Sequence, residues 1–393
     1  MGGNTHFIIL VGGEDPEELL KSYHEYIGKA HIPPFWSMGY HQSRWGYRSL
    51  ETVEKVVSLF QEYEIPLDTF WLDLDYMLNK KIFTVDEISY PPEDLNELMK
   101  VHNLRLVPLL DVGIATKDSQ PVKLGKNMNI FLRSPSPLEY YYKGEVWPGE
   151  VYYVDFLHPN ASAFWKTQLE KLQKKINFSG IWLDMNEPTN FKGGEITFEP
   201  FPVQKMENIN TMTVSVDVPH HSSEGTPLSH ASVHAYYGHL SAIPTFEFLQ
   251  QKGRPFILTR SNSVGTGVFA AHWTGDNVAN WEFLKSSINS NFLYQIFGIQ
   301  MVGSDICGFY TNSNADLCSR WMQLGSFYPF ARNHNHETAI PQEPYAFGAN
   351  HLLTSVLSLR TRYALLKQMY SWLVISKGKG SFFRPLGFEF YED

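Results

Sequence analysis

The chain has 393 residues, of which 43% are hydrophobic and 19% are charged, and its formal net charge at pH 7 is −9. This balance predicts a globular chain with a substantial core, while the acidic charge and the lack of a basic stripe exclude nucleic acid and anionic membranes as partners. No apolar run is long enough to span a bilayer, so we expect no membrane contact from this segment.

Short apolar runs alternate with amphipathic segments along most of the chain, a pattern typical of parallel strands joined by helices. After a strand-like start at 7–11, the pattern predicts strands at 34–40, 69–75, 105–111, 181–183, 255–260, 270–276, 299–305 and 381–386. It predicts helices, the second of them capped by Ser49, at 15–29, 50–64, 93–101, 164–176, 231–251, 281–288, 316–325 and 349–376.

Two segments interrupt this alternation. Residues 113–159, after the third strand, are aromatic and rich in Gly and Pro, and residues 192–225, after the fourth strand, are polar. Eight strands separated by helices, without an internal repeat, predict an α/β fold that is a (β/α)8 TIM barrel with insertions after strands 3 and 4. We expect one large domain, the catalytic barrel, that covers residues 1–393.

Charged side chains follow most of the predicted strands, and Arg260 follows the fifth. Because the C-terminal ends of barrel strands meet at the face where barrel enzymes carry their active sites, these side chains are candidate functional residues. Any one of them taken alone is equally well explained as a strand-end cap or an ion-pair partner. As a ring they indicate a site, and the acids are Asp73, Asp75, Asp111, Asp184, Glu187, Asp276 and Asp305.

Two kinds of chemistry fit such a ring. Hard oxygen ligands are suited to Mg²⁺ or Ca²⁺, as in metal-assisted barrel enzymes. Alternatively, two carboxylates act on a glycosidic bond while the others bind sugar hydroxyls. Trp182 and Trp273 lie beside candidate site residues and Trp147 lies in the first insertion, which favours a sugar pocket with aromatic walls.

The motif Trp182-Leu183-Asp184-Met185-Asn186-Glu187-Pro188 resembles the nucleophile signature of glycoside hydrolase family 31, the family of the lysosomal and intestinal α-glucosidases. Other segments resemble motifs of the same family, and they follow one another in the family's order. These segments are 35–41, 43–47, 73–77, 146–149, 258–261, 272–277, 303–309 and 330–335. The resemblance therefore extends along nearly the whole chain.

The resemblance implies a retaining glycosidase with two catalytic carboxyl groups. Asp184 would attack the anomeric carbon, and Asp276 would first protonate the leaving oxygen and then activate water. We expect neighbouring charges and burial to raise the pKa of Asp276, and we expect the two carboxyl groups to lie about 5–5.5 Å apart. The resemblance implies no cofactor and no metal.

The resemblance also implies a substrate pocket for a terminal glucose. Asp73, Arg260 and His334 would bind its hydroxyl groups. The pocket would be lined by Leu74, Trp147, Trp182, Met185, Trp273 and Phe309. Glu187, Asp305 and Arg332 would orient these residues rather than contact the sugar.

Cys307 and Cys318 are the only cysteines. Their spacing fits a free buried pair as well as a disulfide, but the resemblance implies that they form a disulfide bond. Residues 160–162 and 177–179 match the pattern for N-glycosylation. We therefore expect a glycoprotein of the secretory pathway, either secreted or lysosomal or vacuolar, whose targeting segment is not in this chain.

The function that the resemblance implies is exo-acting hydrolysis of α-1,4-linked glucose from maltose, malto-oligosaccharides or glycogen. Three alternatives stay open: a carbohydrate-binding or inactive barrel, an α-xylosidase, and an α-glucan lyase. Val112 and the pair Lys81-Ile82 depart from the family pattern near the rim of the pocket, which leaves linkage preference open. Family members also carry β-domains before and after the barrel, and we expect residues 1–393 to be the barrel without them.

Overall fold

The computed structural model describes residues 7–13, 15–117, 120–192 and 212–390. Its centre is a barrel of eight parallel strands, which confirms the predicted (β/α)8 TIM-barrel fold. In chain order the barrel strands are β1 (Tyr40–Gln42), β2 (Thr69–Leu72), β3 (Arg105–Leu110), β4 (Ile181–Leu183), β5 (Ile257–Thr259), β6 (Ala271–Trp273), β7 (Val302–Gly303) and β8 (Ala331–Asn333).

Parallel pairing runs from β1 through β7, and β1 also pairs with β8, with His41 opposite Arg332. Backbone hydrogen bonds join β7 to β8: the Phe330 N–H donates to the Val302 carbonyl at 3.0 Å, and the Ile306 N–H donates to the Arg332 carbonyl at 3.0 Å. The strands are short and buried because helices cover the outside and side chains fill the inside. All strands therefore end at one rim.

Helices surround the barrel. They are α1 (Pro16–Ile27), α2 (Leu50–Glu62), α3 (Pro92–Val101), α4 (Gln120–Met128), α5 (Ala161–Gln173), α6 (His230–Val233), α7 (Tyr237–Gln250), α8 (Trp281–Ile296), α9 (Ala315–Gly325), α10 (Ala349–Ser376) and α11 (Leu386–Glu389). Short 3₁₀ turns lie at Phe35–Met38, Leu74–Tyr76, Leu78–Lys80, His234–Tyr236 and Thr266–Val268. The predicted cap is present, because the Ser49 side chain accepts a hydrogen bond from the Thr52 N–H at 3.3 Å.

The prediction for the first strand, 34–40, was wrong for all but its last residue. Residues Phe35–Met38 form a 3₁₀ turn that begins after Pro34, and the Ser37 hydroxyl donates to the Pro34 carbonyl at 2.8 Å. Proline fixes the backbone angle that such a turn needs and removes a donor that a strand would use. The predicted strand at 7–11 was also wrong, since residues 7–13 have no regular secondary structure.

The prediction for the eighth strand, 381–386, was also wrong, because β8 is Ala331–Asn333. Backbone N–H groups of the 381–386 segment donate to side chains instead of to a neighbouring strand: Ser381 to Glu17 at 2.8 Å, and Phe382 to Gln295 at 3.0 Å. This segment therefore packs on α1 and α8 outside the barrel. The real strand has a charged residue, Arg332, at its centre, so its hydropathy gave no strand signal.

The two predicted insertions contain their own small sheets. After β3, an antiparallel sheet has the order Gly113–Ala115, Gly149–Tyr153, Lys143–Val146. In the second segment, Pro219–His220 pairs with Leu228–Ser229. Residues 193–211 of the predicted second insertion lie outside the described residues.

Two features fix α9 and α10 to the barrel. The predicted disulfide between Cys307 and Cys318 is present and ties the loop after β7 to α9. Arg362 of α10 is fully buried and donates to four backbone carbonyls, those of Met38, Ser326, Tyr328 and Pro329. The long helix is thereby bonded to the segments that lead into β1 and β8.

Candidate active site

The predicted site residues lie at the rim where the barrel strands end, with Trp147 in the turn between two strands of the adjoining sheet. Each position follows from the strand that precedes it, because a buried parallel strand delivers the next residues to this rim. The residues are Asp73 and Leu74 after β2, Trp182, Asp184, Met185 and Glu187 in or after β4, Arg260 after β5, Trp273 and Asp276 in or after β6, Asp305 and Phe309 after β7, and Arg332 and His334 in or after β8.

Arg260 connects two of the carboxylates. Its Nε donates to Glu187 at 2.7 Å and its Nη2 donates to the second Glu187 oxygen at 2.9 Å, while Nη1 lies 3.0 Å from Asp184 Oδ1. Burial works to raise the pKa of Glu187, but the Arg260 guanidinium outweighs it and the pKa is lowered. Burial raises the pKa of Asp184, and the charge of Arg260 opposes that rise. The ion pair thus favours an ionised Asp184.

The segment after β4 is held in place by Asn186, which is fully buried. Its side-chain amide donates to the Thr259 hydroxyl at 2.8 Å and to the Ser241 hydroxyl at 3.2 Å, and its oxygen accepts the Ser261 N–H at 2.9 Å. These bonds fix the turn between Asp184 and Glu187 to the end of β5. Asp184 and Glu187 are thereby held in fixed positions relative to Arg260.

Asp276 lies in the loop after β6, where other negative charges act on it. Burial, followed by the negative charges of Asp305 and Asp184, raises the pKa of Asp276 to about 7. Gly275 allows this approach, because a β-carbon there would lie 2.2 Å from Asp305 Oδ2 and 2.3 Å from Trp273 Nε1. A carboxyl group with this pKa holds its proton in mildly acidic solution and releases it near neutrality.

Arg332 is a buried cation below these acids. Its Nη2 donates to Asp305 at 3.1 Å, and its guanidinium carbon lies 4.3 Å from the ring centre of Trp182 and 4.7 Å from that of Trp71. Burial lowers the pKa of Arg332, and the Asp305 charge opposes the fall. Burial raises the pKa of Asp305 to about 6 against the charge of Arg332. Carboxylate and aromatic faces together stabilise a positive charge away from water.

Asp73 and His334 face each other across the rim. His334 Nε2 lies 3.6 Å from Asp73 Oδ2, and its Nδ1 is 2.7 Å from the Ser43 hydroxyl. Burial, with the charge of Arg332, lowers the pKa of His334 well below its ordinary value, so the ring is neutral. Burial raises the pKa of Asp73 well above its ordinary value. A neutral imidazole and a carboxyl group offer both donors and acceptors to a ligand hydroxyl.

Aromatic rings surround the polar groups. Trp182 is in edge contact with Trp273 at 5.3 Å and with His334 at 5.2 Å between ring centres, and Phe309 stacks on His334 at 5.1 Å. Trp147 lies farther out, with the ammonium of Lys80 at 5.2 Å from its ring centre. The walls are thus apolar near the strand ends and carry a cation at the outer edge.

Other side chains border the site, and one of them, Asp111, belongs to the predicted ring of acids. Asp111 is buried, and neither of its carboxyl oxygens has a hydrogen-bond partner among the described residues. Burial and the charge of Asp184 raise the pKa of Asp111 well above its ordinary value. Its position at a strand end was the sequence signal for it. Ser43 and Lys80 had no such signal, because neither follows a buried apolar run.

The described part of the chain has no cluster of three or more His, Cys, Asp or Glu side chains arranged to hold a metal ion. Within the same ranges, every helix is too short or too polar to reach across a bilayer. The arrangement that is present offers an ionised carboxylate, a carboxyl group that titrates near neutrality, and donors and acceptors within aromatic walls. These groups suit acid/base and nucleophilic chemistry on a polyhydroxylated ligand.

Comparison with known proteins gives a consistent match. The model of the glycosyl hydrolases family 31 TIM-barrel domain matches residues 30–372. The lysosomal acid alpha-glucosidase of Tetrahymena pyriformis is 39% identical over 100% of this chain, which covers 47% of that protein. Intestinal sucrase-isomaltase of Homo sapiens is 35% identical over 100% of this chain and 22% of its own length. The chain therefore spans less than half of the length of these relatives.

Solved structures give the same picture. A glucosidase II alpha subunit in a Glc1Man2-bound form superimposes with a TM-score of 0.86 at 31% identity, over 95% of this chain and 39% of that chain. A family 31 alpha-glucosidase from Bacteroides thetaiotaomicron superimposes with a TM-score of 0.81 at 28% identity, over 96% of this chain and 60% of that chain. The similarity thus covers the barrel.

Proposed function

The chain belongs to glycoside hydrolase family 31, whose barrel model matches it over residues 30–372, and we propose that it is a retaining, exo-acting α-glucosidase. In this proposal it releases terminal α-1,4-linked glucose from maltose, malto-oligosaccharides or glycogen. The observation that supports it most directly is the difference between the surroundings of the two carboxyl groups. Asp276 has its pKa raised to about 7, whereas Asp184 has a cation 3.0 Å from its carboxylate.

The proposed reaction has two steps. In the first, Asp276 gives its proton to the glycosidic oxygen while Asp184 forms a bond to the anomeric carbon, so the leaving alcohol departs and a β-glycosyl ester remains. In the second, ionised Asp276 takes a proton from water, and the water oxygen displaces Asp184 from the anomeric carbon. Each step inverts the configuration of the anomeric carbon, so the released glucose has the α configuration. The expected carboxyl separation of about 5–5.5 Å stays a prediction.

The other polar groups are proposed to bind the terminal glucose. Asp73, His334 and Arg260 would bind its hydroxyl groups, with Leu74, Trp147, Trp182, Met185, Trp273 and Phe309 around the ring. Glu187 would hold Arg260, since two hydrogen bonds at 2.7 and 2.9 Å join them. Arg332 would hold Asp305 by the same kind of contact at 3.1 Å. Such bonds fix the groups that contact the sugar.

We also propose that the protein enters the secretory pathway. The disulfide between Cys307 and Cys318 is consistent with an oxidising compartment, and the names of several relatives place them in lysosomes. The two predicted glycosylation sites, Asn160 and Asn177, are both exposed to solvent. Digestion of the native protein with an endoglycosidase, followed by mass measurement, tests this part of the proposal.

Product analysis tests the proposed function. The chain is incubated with maltose, isomaltose and an α-xyloside, without added metal, and the products are separated by chromatography. Glucose from maltose is the expected result, and proton NMR of the first product should show the α anomer. Xylose alone, or an unsaturated sugar, identifies one of the other family chemistries. Activity that survives Asp184→Asn contradicts the assignment of the nucleophile, and calorimetric binding without product contradicts the hydrolase.

A further inference from the structure

Three histidines and an aspartate form a continuous row beside the site. His220 Nδ1 lies 3.1 Å from Asp155 Oδ1, His220 Nε2 lies 3.0 Å from His230 Nδ1, and His230 Nε2 lies 3.2 Å from His234 Nδ1. His220 and His230 are almost completely buried, and their rings stack at 5.2 Å between centres. The proposed hydrolytic steps use none of these groups.

When all three rings are neutral, each ring of the row donates to the neighbour on its Asp155 side. Asp155 already accepts the His221 N–H at 2.6 Å and the Leu157 N–H at 3.2 Å, so its carboxylate is the acceptor toward His220 as well. His220 must then carry its proton on Nδ1 and accept on Nε2, which requires His230 to carry its proton on Nδ1. The same argument assigns the proton of His234 to Nδ1. His234 Nε2 is left as the acceptor at the far end.

The far end of the row lies against the loop that carries Glu187. His234 Nδ1 is 3.4 Å from the Thr213 hydroxyl, which donates to the Pro188 carbonyl at 2.9 Å. The Glu187 carboxylate raises the pKa of His234 while burial lowers it, the larger effect being burial. Glu187 in turn is the carboxylate that Arg260 binds. A change in the charge of the row therefore alters the electrostatic environment of the ion pair between Glu187 and Arg260.

We propose that Asp155, His220, His230 and His234 form a proton-coupled positioning network for the Glu187 loop. One proton taken up at His234 Nε2 moves the Nδ1 proton of His234 to His230, and the Nδ1 proton of His230 to His220 Nε2. Every hydrogen bond between the rings reverses, the net charge rises by one, and the positive charge rests on His220 beside Asp155. The kinetic part of this inference rests on the proposed function, whereas the structural part does not.

The surroundings favour charge at the ends of the row and not at its centre. Burial, with the adjacent rings of His220 and His234, lowers the pKa of His230 to about 2. The aspartate end faces Asp155, with His221 and His158 beyond it. Tyr237 packs on His220 and His230, and its hydroxyl donates to the Val154 carbonyl. The other end faces Glu187, and through it Arg260.

Nitrogen-15 NMR of the histidine-labelled chain tests the network without relying on activity. Above the titration range, the spectrum should show scalar coupling across two N–H···N hydrogen bonds, and His220, His230 and His234 should each carry their proton on Nδ1. The usual Nε2–H form for these rings, or no coupling between rings, overturns the proposal. This result is independent of whether the chain hydrolyses any glucoside.

The substitution His230→Gln distinguishes proton transfer along the row from a purely structural role of the row. Glutamine can accept from His234 and donate to His220 but cannot pass a proton, so His234 should titrate at lower pH than in the wild type. In the active protein the acidic limb of log kcat/KM should move to lower pH by about 0.5 unit or more, with KM at pH 7 changed less than twofold. His239→Gln, at a half-buried histidine bonded to Thr266 outside the row, should leave the limb in place.

The two outcomes of the substitution are distinct. If His230→Gln leaves both the titration of His234 and the acidic limb as they are in the wild type, the row only supports the loop and the proposal fails. If His230→Gln does not fold, Asp155→Asn gives the same test from the other end, because an amide cannot stabilise a positive charge on His220. If His234 titrates in the Asp155→Asn variant as it does in the wild type, the proposal is overturned.

Discussion

Arg260 donates to both oxygens of Glu187, at 2.7 and 2.9 Å, and its third guanidinium nitrogen lies 3.0 Å from Asp184. The bidentate contact fixes the plane of the guanidinium and leaves one edge directed at the proposed nucleophile. In the proposed function, Glu187 therefore acts on Asp184 through Arg260 and not by contact with the sugar. This relation is the basis of the first prediction.

Glu187→Gln should lower kcat/KM by about 10- to 100-fold. The neutral amide keeps the size of the side chain but loses the charge-assisted bonds, each of which contributes roughly 1.5–3 kcal/mol. Arg260 is then free to rotate away from the geometry that serves Asp184. The measurement is steady-state kinetics on a chromogenic α-glucoside, with Glu247→Gln, at an exposed ion pair with Lys166, as the matched control. Equal activities of the two variants would contradict the role of Glu187.

The pH dependence of activity should have a basic limb with a midpoint at about 7, the pKa to which Asp276 is raised. Asp276 must be protonated to serve as the acid, so activity is retained below that pH and is lost as pH rises through it. The profile of kcat/KM between pH 4 and 9 checks this sign and position. A profile flat across pH 6–8 would contradict it.

Asp305→Asn should move the same basic limb to lower pH. Among the negative charges that raise the pKa of Asp276, Asp305 has the largest effect, and its removal leaves the positive charge of Arg332 unopposed. Both changes favour the ionised form of Asp276. The pH profile of the variant is compared with that of the wild type, and its unfolding is measured in parallel because Arg332 loses its buried partner. An unchanged limb in a folded variant would refute this prediction.

Gly275→Ala should reduce activity more than 100-fold without unfolding the barrel. The added methyl would lie 2.2 Å from Asp305 Oδ2 and 2.3 Å from Trp273 Nε1, so the backbone that carries Asp276 must move. A displacement of about 1 Å in a catalytic group costs about 100-fold in rate. Gly387→Ala is the control, because a β-carbon there has no neighbour within 4 Å. Circular dichroism should be unchanged for both variants.

Arg362→Leu should lower the free energy of unfolding by about 3–5 kcal/mol, because a buried acceptor that loses its donor costs about 1–3 kcal/mol and several are affected. Its four acceptor carbonyls, including those of Met38 and Tyr328, would lose their donor inside the protein. Arg360→Leu, two positions earlier at an exposed pair with Glu64, should change stability by less than about 1 kcal/mol. Urea denaturation of the variants measures the difference, and similar midpoints would be a contradiction.

Local pattern predicted much of the barrel. Strands β2 to β6 are short buried runs with flanking turn residues, and a short stretch of sequence around each strand is enough to show its apolar character. The acids that follow them were found for the same reason, since Asp184 comes directly after Leu183. The disulfide between Cys307 and Cys318 was available only from the resemblance, because spacing alone left it open.

Other elements were decided only by tertiary structure. Strand β8 carries Arg332, which is buried because Asp305 and three tryptophan rings, distant in sequence, surround it. The segment 381–386 looks like a strand, yet Glu17 and Gln295 accept its N–H groups. The sequence by itself determined where apolar runs end in acids. Which nitrogen meets which carboxylate, and the contact of Asp155 with His220, depended on contacts between residues far apart along the chain.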